Sequence, residues 1–412
     1  MNINSRLAAA IAAAAIACAS LCAQTTSPYS RFGFGTLSDN ATSAQRQMGG
    51  VGYALGSGRS INVMNPASYS RIDSLTFLFD MGVDLTFFNR TQDGARFSDN
   101  GGGLEYVTMQ FPISKRLGAS FGLLPFSSVG YAFGSDINNG SYSHQGSGGL
   151  NQFYVGAAYN IWGGLSAGLN FSYLFGTNNN EVYIYPSGGF SSLFRQEFQV
   201  RDFRFQLGLQ YEQKIATDRY IGVGLVFAPG KDLLGHARLI KYDLSSNEAP
   251  DTVQSIRMRH NFSLPSTWGV GINYRHANRL LVEADFTYQP WAKAKFSQMA
   301  DFPPTVYADR WKVALGAQFR PRERGSYFQS VTYRAGAFFN RDYITIGGNN
   351  VREYGLACGF GFPTYSTKSI INLGFEYRRR QAHPEVMVKE NYFSITLGIN
   401  FNEMWFFKRK ID

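Results

Sequence analysis

The side chains whose types and spacing could do chemistry in this chain are two charged pairs on neighbouring predicted strands. Glu283 and Asp285 stand two residues apart, as do Arg310 and Lys312 on the strand that should pair with theirs. Since every second side chain of a strand points to the same face, both pairs should lie on one polar face. Opposite charges there would stabilise strand register and hold an internal plug. Relay of protons or ions is the alternative use of this charge ladder.

Residues that commonly form catalytic or metal sites are not arranged for either purpose. There is no His-Glu-x-x-His motif and no metal-ligand spacing among the histidines, which are His144, His236, His260, His276 and His383. Residues 56–60 superficially resemble a phosphate-binding loop, but Arg59 stands where such a loop needs lysine. We therefore predict a protein that is not an enzyme, with no metal and no cofactor.

The charged pairs must be positioned by β-strands, because period-two alternation is the dominant pattern of the sequence. In residues 310–320, one face holds Trp311, Val313, Leu315, Ala317 and Phe319, and the other holds Lys312, Ala314, Gly316 and Gln318. The same alternation recurs in many segments, including 165–173, 203–211 and 393–401. Each such strand has one apolar and one polar face.

Composition indicates which solvent the apolar faces meet. Aromatic residues make up 16% of the chain and charged residues 17%, and the mean hydropathy of −0.20 averages over both faces. Many apolar faces end in Phe, Tyr or Trp, as in the aromatic girdles of membrane β-barrels. A soluble β-sandwich is the alternative. The net charge of +10 is not gathered into a basic stripe, so we expect no nucleic-acid partner.

The N-terminus predicts export. Residues 1–23 carry one charge, Arg6, followed by an alanine-rich apolar run and small residues ending at Ala23, which is the order of a secretory signal peptide. Cleavage there would remove Cys18 and Cys22 and leave Cys358 as the single cysteine, so no disulfide framework is expected. No later run of 18 apolar residues could span a bilayer as a helix. Such a chain is periplasmic, secreted or a membrane barrel.

Pairing of consecutive strands predicts an all-β fold, a 14-stranded antiparallel transmembrane β-barrel over residues 74–401. The seven predicted hairpins are 76–88 with 104–113, 117–134 with 148–160, 165–185 with 194–213, 219–240 with 255–275, 279–297 with 309–320, 328–345 with 352–363, and 369–380 with 391–401. Short turns at one end and longer polar loops at the other are typical of an outer-membrane barrel with periplasmic turns. The even strand count predicts that both termini are periplasmic.

Two segments flank the predicted barrel. Residues 24–73 are too apolar for a disordered tail, and we expect them to fold in the lumen as an N-terminal hatch or plug. Residues 402–412 should form a periplasmic tail. Its side chains would anchor at the membrane interface and contact lipid or lipopolysaccharide phosphates through Trp405, Phe406, Phe407, Lys408, Arg409 and Lys410. A docking role for this tail is the alternative.

Two short motifs of the predicted hatch carry a family resemblance. They are Met48-Gly49-Gly50 and Asn65-Pro66-Ala67. Ahead of a 14-strand pattern, these motifs resemble those of the FadL family, outer-membrane channels for long-chain fatty acids and other hydrophobic compounds. The resemblance implies that the hatch plugs the barrel, that the two motifs form a ligand gate, and that ligand leaves sideways through the wall. For Asn65 and Pro66, a tight turn is the alternative role.

The segments that begin at Ser27 and Asn402 look like those of a Bacteroidota subgroup of FadL-type barrels. Some relatives in that phylum are barrel subunits of secretion or outer-membrane assembly machines. The resemblance therefore implies passive transport of hydrophobic small molecules, such as long-chain fatty acids, as the leading function. The alternative is a non-transporting subunit of an envelope secretion or assembly complex with protein partners, and a surface adhesin is a third hypothesis. The polar lumen faces of the predicted strands argue against an apolar ligand path.

Overall fold

A computed structural model describes residues 27–92, 94–189, 191–244, 251–259, 262–295, 307–322, 325–364 and 369–404. The predicted signal peptide and the tail residues from Trp405 to Lys410 lie outside these ranges. Among the described residues, no helix has the length and apolar character needed to cross a bilayer.

Antiparallel β-strands form most of the described chain. They are β1 (Thr36–Leu37), β2 (Thr76–Gln92), β3 (Ala95–Pro112), β4 (Leu117–Ile137), β5 (Gly140–Trp162), β6 (Leu165–Pro186), β7 (Ser191–Ala216), β8 (Arg219–Ala228), β9 (Lys231–Asp232), β10 (Gly235–Leu244), β11 (Asp251–Arg259), β12 (Ser263–Leu264), β13 (Thr267–His276), β14 (Leu280–Gln289), β15 (Arg310–Phe319), β16 (Thr332–Ile346), β17 (Asn349–Pro363), β18 (Ile370–His383) and β19 (Lys389–Met404). The helices are short: α1 (Ser43–Arg46), α2 (Tyr327–Ser330), and 3-10 helices at Pro28–Arg31, Pro66–Arg71 and Trp291–Lys293.

The wall is a closed barrel with 14 strand positions, which confirms the predicted fold. β19 pairs with β2 along its length, from Lys389 opposite Thr91 to Met404 opposite Thr76. β8 and β10 both pair with β7 and occupy one position, while their partners β13 and β11 occupy the next. Thr76 and Met404 therefore lie at one end of the barrel, which we call the terminal end. The opposite end is the loop end.

Alternation along each strand separates an outer apolar face from the lumen. On β13, Trp268 and Ile272 are 54% and 55% exposed, whereas Asn273 between β8 and β14 is buried. On β7, Phe203 and Phe205 are likewise exposed. A continuous outer band of exposed apolar side chains is the surface of a strand barrel in a lipid bilayer, with an interior that is polar. The chain is therefore a transmembrane β-barrel.

Several predicted boundaries differ from the structure, including the start of β3 at Ala95 where 104 was predicted and of β5 at Gly140 where 148 was predicted. The predicted strand 219–240 is interrupted after Ala228 by Pro229 and Gly230, because proline cannot donate a ladder hydrogen bond. For the same reason the predicted strand 279–297 ends at Gln289, before Pro290. At the C-terminal side, β19 continues to Met404, beyond the predicted limit of 401.

The wall is split along the seam between β3 and β4. Their ladder covers only residues 107–112 of β3 opposite 118–123 of β4, whereas β3 pairs with β2 along nearly all of its length. Residues 95–106 of β3 therefore have no described strand partner on the β4 side. Near the seam, β4 instead pairs with β1 from inside the lumen, through Ser127 and Ser128.

Candidate functional site: the lumen and its plug segment

The lumen is occupied by residues 27–73, which we call the plug segment. Its first residue, Ser27, donates a hydrogen bond to Glu390 at 3.0 Å near the loop end of β19, and its last turn precedes β2 at the terminal end. An apolar cluster joins its N-terminal part to the wall and includes Tyr29, Phe34, Phe198, Phe262, Trp291 and Tyr343. The start of β2 and the end of β19 thus lie together at the terminal end, as an even strand count requires. The first described residues of the plug, however, lie in the loop-end half of the lumen.

The Asn-Pro-Ala motif forms a capped turn that is bonded to the wall. Asn65 is the N-cap of the 3-10 helix Pro66–Arg71, and its side-chain oxygen accepts from the amide of Ala67 at 3.0 Å. The Asn65 Nδ2 donates to the carbonyl oxygens of Tyr53 at 2.7 Å and of Leu209, on β7, at 3.1 Å. Pro66 at the first helical position has no amide hydrogen that would need a partner. The geometry therefore gives this motif a structural role; a gating role remains a prediction.

The Met-Gly-Gly motif ends helix α1 and places the chain against another part of the wall. Gly49 and Gly50 have φ values of +73° and +80°, a conformation that other residues rarely adopt. Their amides donate to the carbonyl oxygens of Arg46 at 3.0 Å and Gln45 at 2.9 Å. Met48 is fully buried beside strands β15 and β16. The two predicted gate motifs therefore lie against different strands and are not brought together in one pocket.

Glycines of the wall, which have no side chain, let the plug backbone approach the strands closely. We call Gly168, Gly208, Gly224, Gly316 and Gly336 the glycine seat. A Cβ at any of them would overlap plug atoms of Met48, Tyr53, Asn65 or Pro66. Sequence analysis missed this role, although the signal is present: each of these glycines occupies the lumen-facing phase of an alternating strand. The close fit indicates a plug with a fixed position.

The acidic pair of the predicted charge ladder binds plug amides. Asp285 Oδ2 accepts from the backbone of Gly52 at 2.7 Å and of Tyr53 at 3.0 Å. Glu283 Oε1 accepts from the amide of Ala54 at 2.9 Å. Both carboxylates are buried. Three consecutive backbone donors of the plug are therefore satisfied by carboxyl oxygens of the wall.

The basic pair binds a plug carboxylate, because the strand register offsets it from the acidic pair. The β14–β15 register places Gln289 opposite Arg310 and Thr287 opposite Lys312. Both cations are buried and contact Asp39, with Arg310 Nη2 at 3.3 Å from Asp39 Oδ1 and Lys312 Nζ bonded to Oδ2. Sequence analysis did not single out Asp39. The four ladder residues thus share a face, but each pair holds a different part of the plug.

The Asp39 contact should make plug stability depend on pH. Burial alone would raise the pKa of Asp39, but the Lys312 ammonium and the Arg310 guanidinium hold it below its ordinary value. A depressed folded-state pKa stabilises the fold above the unfolded pKa of about 3.9 and loses this effect as pH falls through the folded value. We expect Asp39→Asn to lower the melting temperature at pH 7, with the difference from wild type shrinking below pH 4. Melting curves in detergent across this range measure it, and a pH-independent difference would contradict the assignment.

Beside the plug, and lined in part by its residues 36–39, the lumen contains a charged chamber of about 740 Å³ that extends to the split seam at Leu104 and Leu123. Ion pairs cross it. Arg46 of the plug contacts Glu105 of β3 at 2.6 Å, and Arg380 contacts Glu353 at 3.3 Å. Ligand pockets for hydrophobic molecules are lined mainly by apolar side chains. This chamber instead has a mixed lining that contains several ion-paired charges.

Below the plug, a second cavity of about 570 Å³ lies at the terminal end, and we call it the mouth cavity. Residues 56–60, which superficially resembled a phosphate loop, line it together with Arg71, Glu212, Arg275 and the β13–β14 turn. Glu212 is shared by Arg71 at 3.1 Å and Arg275 at 2.9 Å. The plug thus separates two polar compartments.

Comparison with known proteins gives one family match and several structural matches. The family model described as BamG matches residues 6–412. A Pseudomonas aeruginosa FadL homologue superposes with a TM-score of 0.64 at 12% identity, covering 89% of this chain and 99% of that one. The Pseudomonas putida toluene transporter TodX gives 0.63 at 15%, covering 90% and 100%, and the monoaromatic hydrocarbon channel CymD gives 0.60 at 14%, covering 90% and 99%.

These structural matches establish a FadL-like barrel fold, since identities this low show the fold alone. The predicted FadL resemblance is confirmed at that level. The similar structures named above are described as a FadL homologue, a transporter and a channel, in agreement with a barrel that is not an enzyme. No curated protein matches the chain.

Proposed function

Since the chain belongs to the BamG family, we propose that it is a non-transporting outer-membrane barrel that acts as a subunit of an envelope protein secretion or assembly complex. The plug carries this proposal. It is bonded to the wall by the acidic pair, by Asp39 and by Asn65, and its backbone lies directly on the glycine seat. A barrel closed in this way can present surfaces to partners without passing a ligand.

The charge of the lumen supports the same function. An apolar molecule that reached the charged chamber would meet the ion pairs of Arg46 with Glu105 and of Arg380 with Glu353. Displacing the plug would leave buried charges such as Arg310 and Lys312 without Asp39. Breaking a buried ion pair typically costs about 3–5 kcal/mol. Passage of an apolar molecule is therefore opposed by the charges that line the lumen and by the free-energy cost of displacing the plug.

Passive transport of hydrophobic small molecules is the second candidate, and the split seam favours it. Transporters and channels share the fold, and residues 95–106 of β3 leave a place where a molecule could pass sideways into the bilayer. Long-chain fatty acid is the ligand class that the sequence resemblance implies. The charged chamber behind the seam would then have to bind at least the polar headgroup of such a fatty acid.

Native purification in mild detergent distinguishes the two functions. We expect stoichiometric protein partners and no apolar ligand in the lumen when co-purifying proteins and lipids are identified by mass spectrometry. The same barrel expressed and refolded alone is the control for adventitious lipid. A solitary barrel that carries fatty acid or another apolar compound in excess of this control would contradict the subunit function and favour transport.

A further inference from the structure

The mouth cavity has an uneven charge that neither the plug contacts nor the closure of the lumen explains. Among the described residues that line it, the acidic side chains are Asp73 and Glu212. Its basic side chains are more numerous: Arg59, Arg71, Arg275, Arg279, Arg320 and Arg334. In the charged chamber, by contrast, acidic and basic side chains are nearly balanced. The excess positive charge is therefore confined to the terminal end of the lumen.

The two carboxylates of the mouth cavity already form ion pairs with its arginines. Glu212 is shared between Arg71 and Arg275, and Asp73 contacts Arg59 at 3.5 Å. Arg334 is only 8% exposed and donates to neutral amide oxygens at 2.8 to 2.9 Å, those of Gln318, Gln47 and Asn372. Among the described residues, neither Arg334 nor the exposed Arg279 forms an ion pair. A buried cation that is hydrogen-bonded but not neutralised favours an incoming anion.

From this we infer that the mouth cavity binds an acidic segment, rich in Asp and Glu, of a protein partner that approaches the terminal end. This inference rests on the proposed function, because it assumes a partner, and it specifies where and by what chemistry the partner binds. The cavity lies inside the strand ring beneath the plug, so lipid headgroups that border the outer face of the barrel do not reach it directly. A volume of about 570 Å³ is within the range of sites that accept a short peptide segment or a small molecule.

The glycine- and serine-rich residues 56–60 give the cavity a roof suited to this ligand. Arg59 projects from it with a half-exposed side chain between small residues. Arginine forks match carboxylates bidentately. Such binding would be steered by charge and weakened by salt.

The test is direct binding of labelled hexaglutamate to the purified barrel in detergent, followed by fluorescence anisotropy. The double variant Arg59→Gln/Arg279→Gln removes two exposed cations of the cavity and should weaken binding about tenfold. The matched control Arg116→Gln/Arg219→Gln removes two exposed arginines from turns at the same end, outside the cavity, and should bind like wild type. Hexalysine should not bind.

Equal affinities of the two double variants, or no hexaglutamate binding by wild type, would overturn the inference. So would displacement of hexaglutamate by inorganic phosphate at equal concentration, which would indicate a phosphate site. Failure of the proposed function looks different. Hexaglutamate binding without co-purifying partners would leave the anion site standing and remove the complex, whereas partners retained equally by wild type and the Arg59→Gln/Arg279→Gln variant would leave the complex and remove this contact.

Discussion

Valine in place of Gly224 will prevent the barrel from closing tightly on its plug, because a Cβ at this position overlaps the carbonyl group of Tyr53. This contact joins the backbone of β8 to the backbone of the plug. Neither can move aside as a flexible side chain would. Overpacking costs about 1–3 kcal/mol or more at a single site. We expect the melting temperature in detergent to fall by about 1–4 °C, and less of the chain to migrate as a compact form on unheated gels.

Gly103→Val is the matched control for this prediction. Gly103 also lies on a wall strand and lines the charged chamber, but a Cβ there meets nothing within 4 Å. Valine has a higher strand propensity than glycine, so Gly103→Val should fold as well as wild type. If Gly103→Val and Gly224→Val lower the melting temperature equally, glycine in this wall serves strand flexibility and the glycine seat is not a contact surface.

The contrast between strands and plug shows what the sequence can specify. A strand between lipid and lumen has two different solvents on its two faces, so side-chain alternation records its path, as in the run from Trp311 to Phe319 on β15. For that reason 14 strand positions could be predicted. Where the prediction extended strands 219–240 and 279–297 too far, the sequence already held the correction, since Pro229 and Pro290 stand at these breaks.

The contacts of the plug could not be predicted in the same way. The plug has no regular period, and its partners are fixed by strand register, which sets Arg310 opposite Gln289 and leaves both basic residues to Asp39. A register offset of this kind changes which charges meet without changing the pattern of either strand. The charged pairs were correctly placed on one lumen face, but their counter-charge comes from a segment far away in the sequence.

Alanine in place of Asp285 should release the middle of the plug while leaving the barrel closed. The change removes the acceptor for the buried amides of Gly52 and Tyr53. Each unsatisfied buried donor costs about 1–3 kcal/mol. If local opening absorbs about 2.7 kcal/mol of this cost, the open population of the plug rises about a hundredfold. Barrel closure depends on the β19–β2 ladder, which this variant does not touch.

The opening can be measured by the labelling rate of a cysteine at Val51, which is fully buried in the plug and close to a cysteine in size. In a background that carries Val51→Cys and Cys358→Ser, a water-soluble maleimide should react about a hundredfold faster after Asp285→Ala. Asp285→Asn keeps an oxygen acceptor and should give an intermediate rate. Asp84→Ala removes a lumen carboxylate that accepts from Gly103, in the wall itself, and should leave the rate unchanged. If Asp285→Ala labels no faster than Asp84→Ala, the acidic pair does not hold the plug, and the fixed closure on which the non-transporting function depends loses its main polar contact.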